Sequence, residues 1–340
     1  MAREVLHRYD DPLDLIWLSC AEALGFEIAR SDEVYASFDG QRTLTLSTRT
    51  HFDADDSLAQ LIFHELCHAL VAGPRGRRRI DWGMENVDER DLVQEHACHR
   101  LQAALADRYG LRGLLAVTTD HRTYWDALPI DPLGPGDDEA IPLAREAFER
   151  ATEGTWAEPL ARALTRTARL AATMRELPLP EDSVWRRTRP LHASGFPLGT
   201  RDDATCGTCA WSHGRDGRMR CRQAPRARGL AAALPGCVRF EPTLDEARCG
   251  QCGACCREGF DRVELTRRDR VHKRHPALIV VDGFGAHLPR PDGRCVALAP
   301  TGVDGLHRCR IYADRPRACA DFPIGGEACL EARRRVGLSV

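Results

Sequence analysis

The chain has 340 residues, enough for two or three domains that each bury a core. Its 48 basic and 50 acidic residues leave a formal net charge of −2, which gives no overall sign of a nucleic-acid partner or an anionic membrane surface. Because no apolar segment reaches the length of a membrane span and the charged N-terminus lacks a signal-peptide core, we expect a cytoplasmic protein with neither partner.

The first predicted elements are a helix and a β-hairpin. Residues 11–26 repeat apolar side chains at helical spacing. Residues 34–38 and 43–47 alternate around Asp39-Gly40, a pair that favours a tight hairpin turn. A small sheet is therefore expected directly before the next helix.

That next helix is predicted over residues 58–71 and contains His64-Glu65-Leu66-Cys67-His68, an HExxH motif. At 3.6 residues per turn, both imidazoles lie on one face and can bind a single metal ion. Glu65 flanks this face, where it can accept a proton from metal-bound water. We expect Asp53 or Asp55 to cap the helix and Gly73-Pro74 to end it. The motif predicts a hydrolytic metal centre.

A second helix is predicted over residues 91–110, and Glu95 and His99 share one of its faces. A catalytic zinc site needs a third protein ligand. The distance from His68 to Glu95 and the Glu-x-Ala context resemble the third-ligand helix of ImmA/IrrE-type gluzincin metallopeptidases. By that resemblance Glu95 is the third ligand, with His96 and His99 as reserve candidates. The resemblance implies a zincin-like domain of a small sheet plus the HExxH helix.

Two cysteines, Cys67 and Cys98, depart from that family's pattern. We interpret them as buried thiols, although they could pair or bind a second metal if the two helices pack side by side.

The HExxH motif followed by Ala72-Gly73, Arg77-Arg78 and Ile80-Asp81-Trp82-Gly83 also resembles elongation factor P hydroxylase. That resemblance keeps the same ligands but implies iron and an oxidation.

The middle of the chain shows no chemistry. The Pro- and Gly-rich residues 127–137 read as a boundary, residues 141–177 as largely helical, and residues 178–203 as a linker or an extended wrap over the neighbouring domain. We therefore predict an HExxH domain, a helical region with linker, a four-cysteine module and a cysteine-cluster domain, at residues 1–127, 128–203, 204–243 and 244–340.

Fifteen cysteines are present, and most of them follow Cys206 in CxxC spacings. In a reducing cytosol these spacings favour metal thiolates over disulfides. Cys206 and Cys209 form a knuckle, and Cys221 and Cys237 complete a four-sulfur set suited to zinc, iron or an iron–sulfur cluster. The alternative is four reduced cysteines without a metal.

A denser cluster starts with a CxxCxxCC segment at residues 249–256, followed by Cys295-Val296-Ala297-Leu298 and by a C-x-I-Y…R-P…C…F-P pattern at residues 309–323. This arrangement resembles the YkgJ-type cysteine-cluster family, which chelates zinc or iron. Seven or eight sulfurs fit two four-sulfur sites or one polynuclear centre, and metal would hold this loop-rich domain together. The implied ligands are Cys249, Cys252, Cys255, Cys256, Cys295, Cys309 and Cys319, with Cys329 as an uncertain eighth. His272 and His275 read as solvated loop residues.

The expected fold class is therefore α+β, and three functions remain open. The first is a zinc-dependent, peptidase-like hydrolase acting on a protein or peptide, with Glu65 as base and His64, His68 and Glu95 as zinc ligands. The second is an iron-dependent oxidoreductase or protein-modifying hydroxylase using an iron–sulfur centre. Since no flavin or nicotinamide motif is present, its electrons would come from a partner protein. The third is a metal-binding module without catalysis.

Overall fold

The computed structural model describes residues 6–84, 89–118, 121–215, 218–303 and 305–339. The protein is a mixed α+β chain that divides into two compact units, residues 1–198 and 199–340. The first unit thus contains the predicted HExxH domain and nearly all of the predicted helical region. Within the described residues, no helix combines the length and apolar character needed to cross a membrane.

The described part of the first unit consists of helices packed on one small sheet. Its strands are β1 (Glu27–Ser31), β2 (Ala36–Phe38) and β3 (Thr43–Ser47). Its helices are α1 (Pro12–Ala23), α2 (Leu58–Gly76), α3 (Leu92–Asp107), α4 (Arg122–Asp126), α5 (Ala140–Glu153) and α6 (Ala157–Arg175). A single large apolar core includes side chains from the sheet and from α1, α2, α3, α5 and α6.

The sheet has the strand order β1-β3-β2. The predicted hairpin is confirmed, because β2 and β3 pair antiparallel around the Asp39-Gly40 turn and Gly40 has a φ of 77°. Strand β1 pairs parallel to β3 and was not predicted. Its residues are half-buried or exposed without a regular alternation, so the sequence carries no period-two signal there.

Helix α2 begins at Leu58 and is capped by Ser57. The prediction of Asp53 or Asp55 as the N-cap is wrong, since Ser57 Oγ accepts a hydrogen bond from Gln60 N at 3.2 Å. The aspartates lie too far upstream to reach the first free amides of a helix that starts at Leu58. Its regular part ends at Gly73 as predicted, where φ is 65° and ψ −169°.

The middle helices belong to the same core as the HExxH helix. Helix α5 packs on α2 and α3, and α6 packs on α1. Trp17 of α1 is fully buried against Phe63 of α2, and its indole N–H donates to Thr167 Oγ1 of α6 at 3.1 Å. Leu160 and Leu164 of α6 are each 1% exposed.

The second unit is loop-rich, with short elements around small cores. The residues described here form three sheets, with the orders β4-β5-β6, β7-β9-β8 and β10-β11. The strands are β4 (Ser212–His213), β5 (Met219–Cys221), β6 (Ala224–Leu230), β7 (Val263–Glu264), β8 (Val280–Asp282), β9 (Gly285–Leu288), β10 (Leu298–Pro300) and β11 (His307–Cys309). The helices are α7 (Glu246–Gly250), α8 (Ala254–Glu258), α9 (Val271–Arg274), α10 (Arg317–Ala320) and α11 (Glu327–Arg335).

The segment that precedes residue 199 wraps over part of the first unit. Arg189 N donates to Gly110 O at 2.8 Å just beyond the end of α3. Gly110 has a φ of 71°, and a Cβ added there would collide with the Arg189 carbonyl oxygen. The close approach of the two backbones therefore depends on a glycine at this position.

We expect Gly110→Ala to destabilise the first unit by about 3 kcal/mol or more, because it adds left-handed backbone strain and a collision with Arg189. Gly195→Ala is the matched control, since Gly195 has a φ of 87° and an added Cβ there would meet nothing within 4 Å. The control should lose about 1 to 2 kcal/mol. Denaturant unfolding of both variants measures the difference, and equal losses would contradict a close packing of the wrap.

Candidate metal centre

The side-by-side packing of α2 and α3 brings together the three predicted N-terminal ligands. His64 Nε2 lies 2.9 Å from His68 Nε2 and 3.3 Å from Glu95 Oε1. His68 Nε2 lies 3.4 Å from Glu95 Oε2. Within the described parts of the chain, these residues form the one group of three or more His, Cys, Asp or Glu whose donor atoms all lie within 4.8 Å of one another.

These separations suit ligands of a single ion. Donor atoms bound at about 2.0 to 2.1 Å, with angles of about 90 to 110° between the bonds, lie roughly 2.9 to 3.4 Å apart. Two imidazoles and a carboxylate form the set that catalytic zinc uses in many hydrolases, and non-haem iron uses the same set. The donor chemistry therefore fits a metal and does not distinguish zinc from iron.

Both histidines are held by hydrogen bonds to their second ring nitrogen. His64 Nδ1 lies 3.0 Å from Gln102 Oε1, and Gln102 Nε2 donates to Leu115 O at 2.8 Å. The amide of Gln102 is thereby oriented to accept, so His64 Nδ1 carries the proton. His68 Nδ1 lies 3.2 Å from Cys98 Sγ. Both Nε2 atoms face the shared point, while the second nitrogen of each ring makes a hydrogen bond that fixes the ring's orientation.

The carboxylate of Glu95 also has a partner on its own helix. His99 Nε2 lies 3.0 Å from Glu95 Oε1, and the His99 side chain is fully buried. Since a carboxylate only accepts, His99 donates from Nε2, and its buried Nδ1 has no hydrogen-bond partner among the described residues. His99, a reserve ligand by its sequence position, thus holds Glu95 and lies outside the ligand group.

The charges in the site follow from burial and pairing. Burial raises the pKa of Glu95, but His68, His64 and His99 outweigh it and hold that pKa well below its usual range. Burial lowers the pKa of His68, and it lowers that of His99 to about 4. Burial also opposes protonation of His64, yet the Glu95 carboxylate raises its pKa to about 9. Metal binding would therefore displace a proton from His64.

Glu65 is buried on the same helix, at 7% exposure, and is held from outside α2. The Trp82 indole Nε1 donates to Glu65 Oε2 at 2.9 Å. Trp82 stacks on Phe38 of β2, with ring centroids 3.8 Å apart and an angle of 6° between the planes. Asp81 Oδ1 accepts from Phe38 N at 2.8 Å, which ties the short turn at Ile80–Gly83 to the sheet. The sheet thus positions the candidate base.

The remaining candidates near the site are not ligands of this group. The ring of His96 stacks on Tyr124 with centroids 3.5 Å apart. Cys67 and Cys98 are fully buried and unpaired in disulfides, as interpreted from the sequence. Burial raises the pKa of both thiols well above the usual value, so both stay protonated.

The sulfur atoms of the four-cysteine module are neighbours but are not close enough to form a metal-bound set. Burial, together with the neighbouring Cys209, Cys237 and Cys221, raises the pKa of Cys206 to about 11. The four side chains therefore surround one region of the second unit. Across the described residues, however, no three cysteine sulfurs lie within 4.8 Å of one another. Their role as a ligand set stays a prediction.

The later cysteines fall into two neighbourhoods that meet at Cys255. Cys249, Cys252 and Cys255 lie near Cys329, since each raises its pKa after the larger effect of burial. A second neighbourhood lines a cavity of about 50 Å³, to which Cys249 and Cys255 also contribute. Its own members are Cys256, Cys295, Cys309 and Cys319. Cys256 hydrogen-bonds the Cys255 sulfur and lowers the pKa of Cys255 to about 7, a value that favours a thiolate ligand.

Residues 248–334 match a family model, CxxCxxCC, described as "Putative zinc- or iron-chelating domain". The matched segment contains all eight of these later cysteines. It covers about a quarter of the chain, and it supports a metal-binding protein. A comparison with curated proteins found no match, and a comparison with solved structures found none either.

Three residues of the N-terminal site have contacts that the sequence did not assign. Gln102 follows Glu95 and His99 at helical spacing on one face of α3, a signal that could have identified it. Trp82 stood in the segment that resembles elongation factor P hydroxylase, but nothing in the sequence pairs it with Glu65. Cys98 was recognised as buried, and its contact with His68 depends on how α2 and α3 pack.

We expect Gln102→Leu to weaken metal binding at the N-terminal site by about 10- to 100-fold, because His64 loses the acceptor that fixes its tautomer. Isothermal titration of the metal-depleted chain with Zn²⁺ measures the effect. Gln60→Leu is the matched control. Gln60 is also buried and also donates to a backbone carbonyl, but its hydrogen-bond partners are Ser57 and Ala116 rather than a candidate ligand. A similar loss in both variants would assign Gln102 a purely structural role.

Proposed function

We propose that residues 1–198 form a metal-dependent hydrolase centre that uses zinc and acts on a protein or peptide substrate. His64, His68 and Glu95 would hold the ion. The observation that carries the proposal is the convergence of these three donors within 4.8 Å, next to a buried glutamate on the same helix.

Bound zinc would polarise the carbonyl of the substrate and lower the pKa of a water molecule. Glu65 would be the group that accepts a proton from water and passes it to the leaving group. Trp82 orients the carboxylate by its bond to Oε2, which restricts Glu65 to a narrow range of directions. The hydrogen bonds to Gln102 and Cys98 keep both imidazole rings aligned.

Substrate approaches from the side of His64. The side chains of His64 and Glu95 are 16% and 12% exposed, whereas that of His68 is 6% exposed. The centre therefore has one face toward solvent and a buried floor formed by His68 and Cys98. A largely buried site favours strong electrostatic stabilisation of developing charge.

A second candidate function is an iron-dependent oxidation. The observation that favours it is the position of Asp81 and Trp82, two residues of the segment that resembles elongation factor P hydroxylase. Both lie at the site, since Trp82 contacts Glu65 directly and Asp81 fixes the turn to β2. Two histidines and one carboxylate also suit iron(II). In that case a partner protein would supply electrons.

The cysteine-rich unit would bind two ions in residues 244–340 and a third in residues 204–243. One set of ligands would be Cys249, Cys252 and Cys329 with Cys255, and the other Cys256, Cys295, Cys309 and Cys319. Arg333 supports the first set, because its Nη1 donates to Cys252 Sγ at 3.0 Å and compensates negative charge on sulfur. Zinc or iron bound here would add to the stability of this loop-rich unit.

We expect Cys329→Ser to lower the metal content of the full-length protein by up to one ion per chain, since oxygen replaces one sulfur of a four-sulfur set. Elemental analysis of protein purified without oxygen measures the ratio. Cys20→Ala, which removes a buried thiol from the other unit, should leave the ratio unchanged. An unchanged ratio in Cys329→Ser would remove Cys329 from the ligands.

The proposed hydrolase is tested by Glu65→Gln, which keeps the size of the side chain and removes its basicity. We expect the variant to keep its N-terminal metal and to lose peptide hydrolysis by at least about 100-fold, the lower end of the effect of general-base removal. Trp82→Phe should reduce turnover less and leave the metal in place. Metal content and cleavage of a mixed peptide library are measured on the same samples.

Retained hydrolysis in Glu65→Gln would reject the assignment of the base. Zinc in the wild-type chain with hydrolysis supports the first proposal. Iron in the N-terminal site, together with oxygen consumption and no hydrolysis, would replace it with the second. A chain that binds metal and shows neither activity would be the non-catalytic module.

A further inference from the structure

The four-cysteine module is strongly positive, although the whole chain is close to neutral. Residues 204–243 contain seven arginines against one aspartate and one glutamate, a net charge of +5, within a protein of net charge −2. The described glutamate of this segment, Glu241, pairs with Arg333 at 2.8 Å. The positive charge of the module is therefore concentrated and poorly balanced.

The sheet β4-β5-β6 places part of this charge in one row. In the register of the strands His213 lies opposite Arg220, and Arg220 lies opposite Arg228. The register of β5 and β6 shifts on both sides of Arg220, but Arg220 and Arg228 remain paired, and the side chains of all three residues are exposed. Met219 and Cys221, which flank Arg220, are buried. The solvent face of the sheet is therefore cationic, and its other face packs on the core.

Two like charges directly opposite each other destabilise a sheet. Within the part of the chain that the structure describes, Arg218, Arg220, Arg226 and Arg228 make no ion pair and no side-chain hydrogen bond. Arginines elsewhere in this unit do find partners, as Arg262 does with Asp282 at 2.7 Å. The arrangement costs stability without a compensating contact inside the described chain, which points to an external anion.

We propose that this face, formed by His213, Arg218, Arg220, Arg226 and Arg228, binds the phosphate backbone of a nucleic acid. Guanidinium groups bind phosphates through paired hydrogen bonds. With strands about 4.8 Å apart, the row of three residues spans about 10 Å. Because phosphate contacts carry no base information, binding is largely independent of sequence.

The described surface around the arginines lacks the apolar side chains that anchor most protein partners and membrane-surface segments. Among the described residues of 199–243, none of the exposed large apolar side chains of the protein is found. Protein interfaces are anchored by buried aromatic and apolar side chains, and membrane-surface segments insert apolar ones. A purely cationic face fits a polyphosphate chain better. The near-zero net charge does not argue against it, since an electrostatic footprint is local.

The test measures binding of the full-length, metal-loaded protein by fluorescence anisotropy. The probes are labelled single-stranded RNA, single-stranded DNA and duplex DNA of about 20 nucleotides, between about 50 and 200 mM salt. Wild type should bind at least one probe, with affinity that falls steeply as salt rises. Arg220→Gln with Arg228→Gln should weaken binding about tenfold or more at low salt and reduce the salt slope by about 2.

The matched control is Arg166→Gln with Arg169→Gln, which removes two exposed arginines from α6. It should leave both the affinity and the slope unchanged. The double variant in the sheet should unfold at the same temperature as wild type or higher, because it relieves a like-charge pair. Arg218→Gln with Arg226→Gln is a second variant outside that pair and should also weaken binding. Metal content and hydrolysis should remain as in wild type in all of them.

Absence of binding by wild type to all three probes at low salt would overturn the proposal. So would an equal loss of affinity in the α6 control, which would show a general charge effect. Binding of labelled polyglutamate as tight as that of the nucleic acids would replace the nucleic acid with an acidic protein. None of these results depends on whether the N-terminal centre is a hydrolase.

Discussion

The N-terminal unit depends on the burial of one carboxylate between imidazoles. Burying an ionised group is costly unless charge and hydrogen bonds compensate it. Glu95 meets this condition through His64, His68 and His99, which come from two helices packed side by side. Separation of α2 from α3 would remove both histidines of α2 and leave the carboxylate with His99 alone. The contact that makes a metal site is therefore also a constraint on how the helices pack.

The second layer of contacts extends this constraint through the unit. Gln102 connects His64 to the backbone of Leu115, and Trp82 connects Glu65 to the sheet. The sheet itself contains only three short strands, yet it determines where the Ile80–Gly83 turn lies. A small sheet beside the HExxH helix thus orients the candidate base, a role that its size alone does not suggest.

The cysteine-rich unit combines small apolar cores with many candidate metal ligands. Its apolar cores are small, and its described cysteines approach in neighbourhoods without closing to the distances of a metal-bound set. Metal binding in such a unit contributes directly to folding. The unit also maintains an arginine row whose internal repulsion lowers stability. Residues kept at such a cost point to a role outside the fold.

Much of this arrangement could be predicted from the sequence, because it depends on residues that are close along the chain. Helical spacing identified α2 with His64 and His68, the resemblance to gluzincins assigned Glu95 of α3, and the Asp39-Gly40 pair identified the hairpin. The tertiary structure alone decided the partners of these residues: strand β1, the Ser57 cap in place of an aspartate, and the contacts of Trp82, Cys98 and Gln102. Those choices depend on packing between distant segments, which periodicity and spacing do not encode.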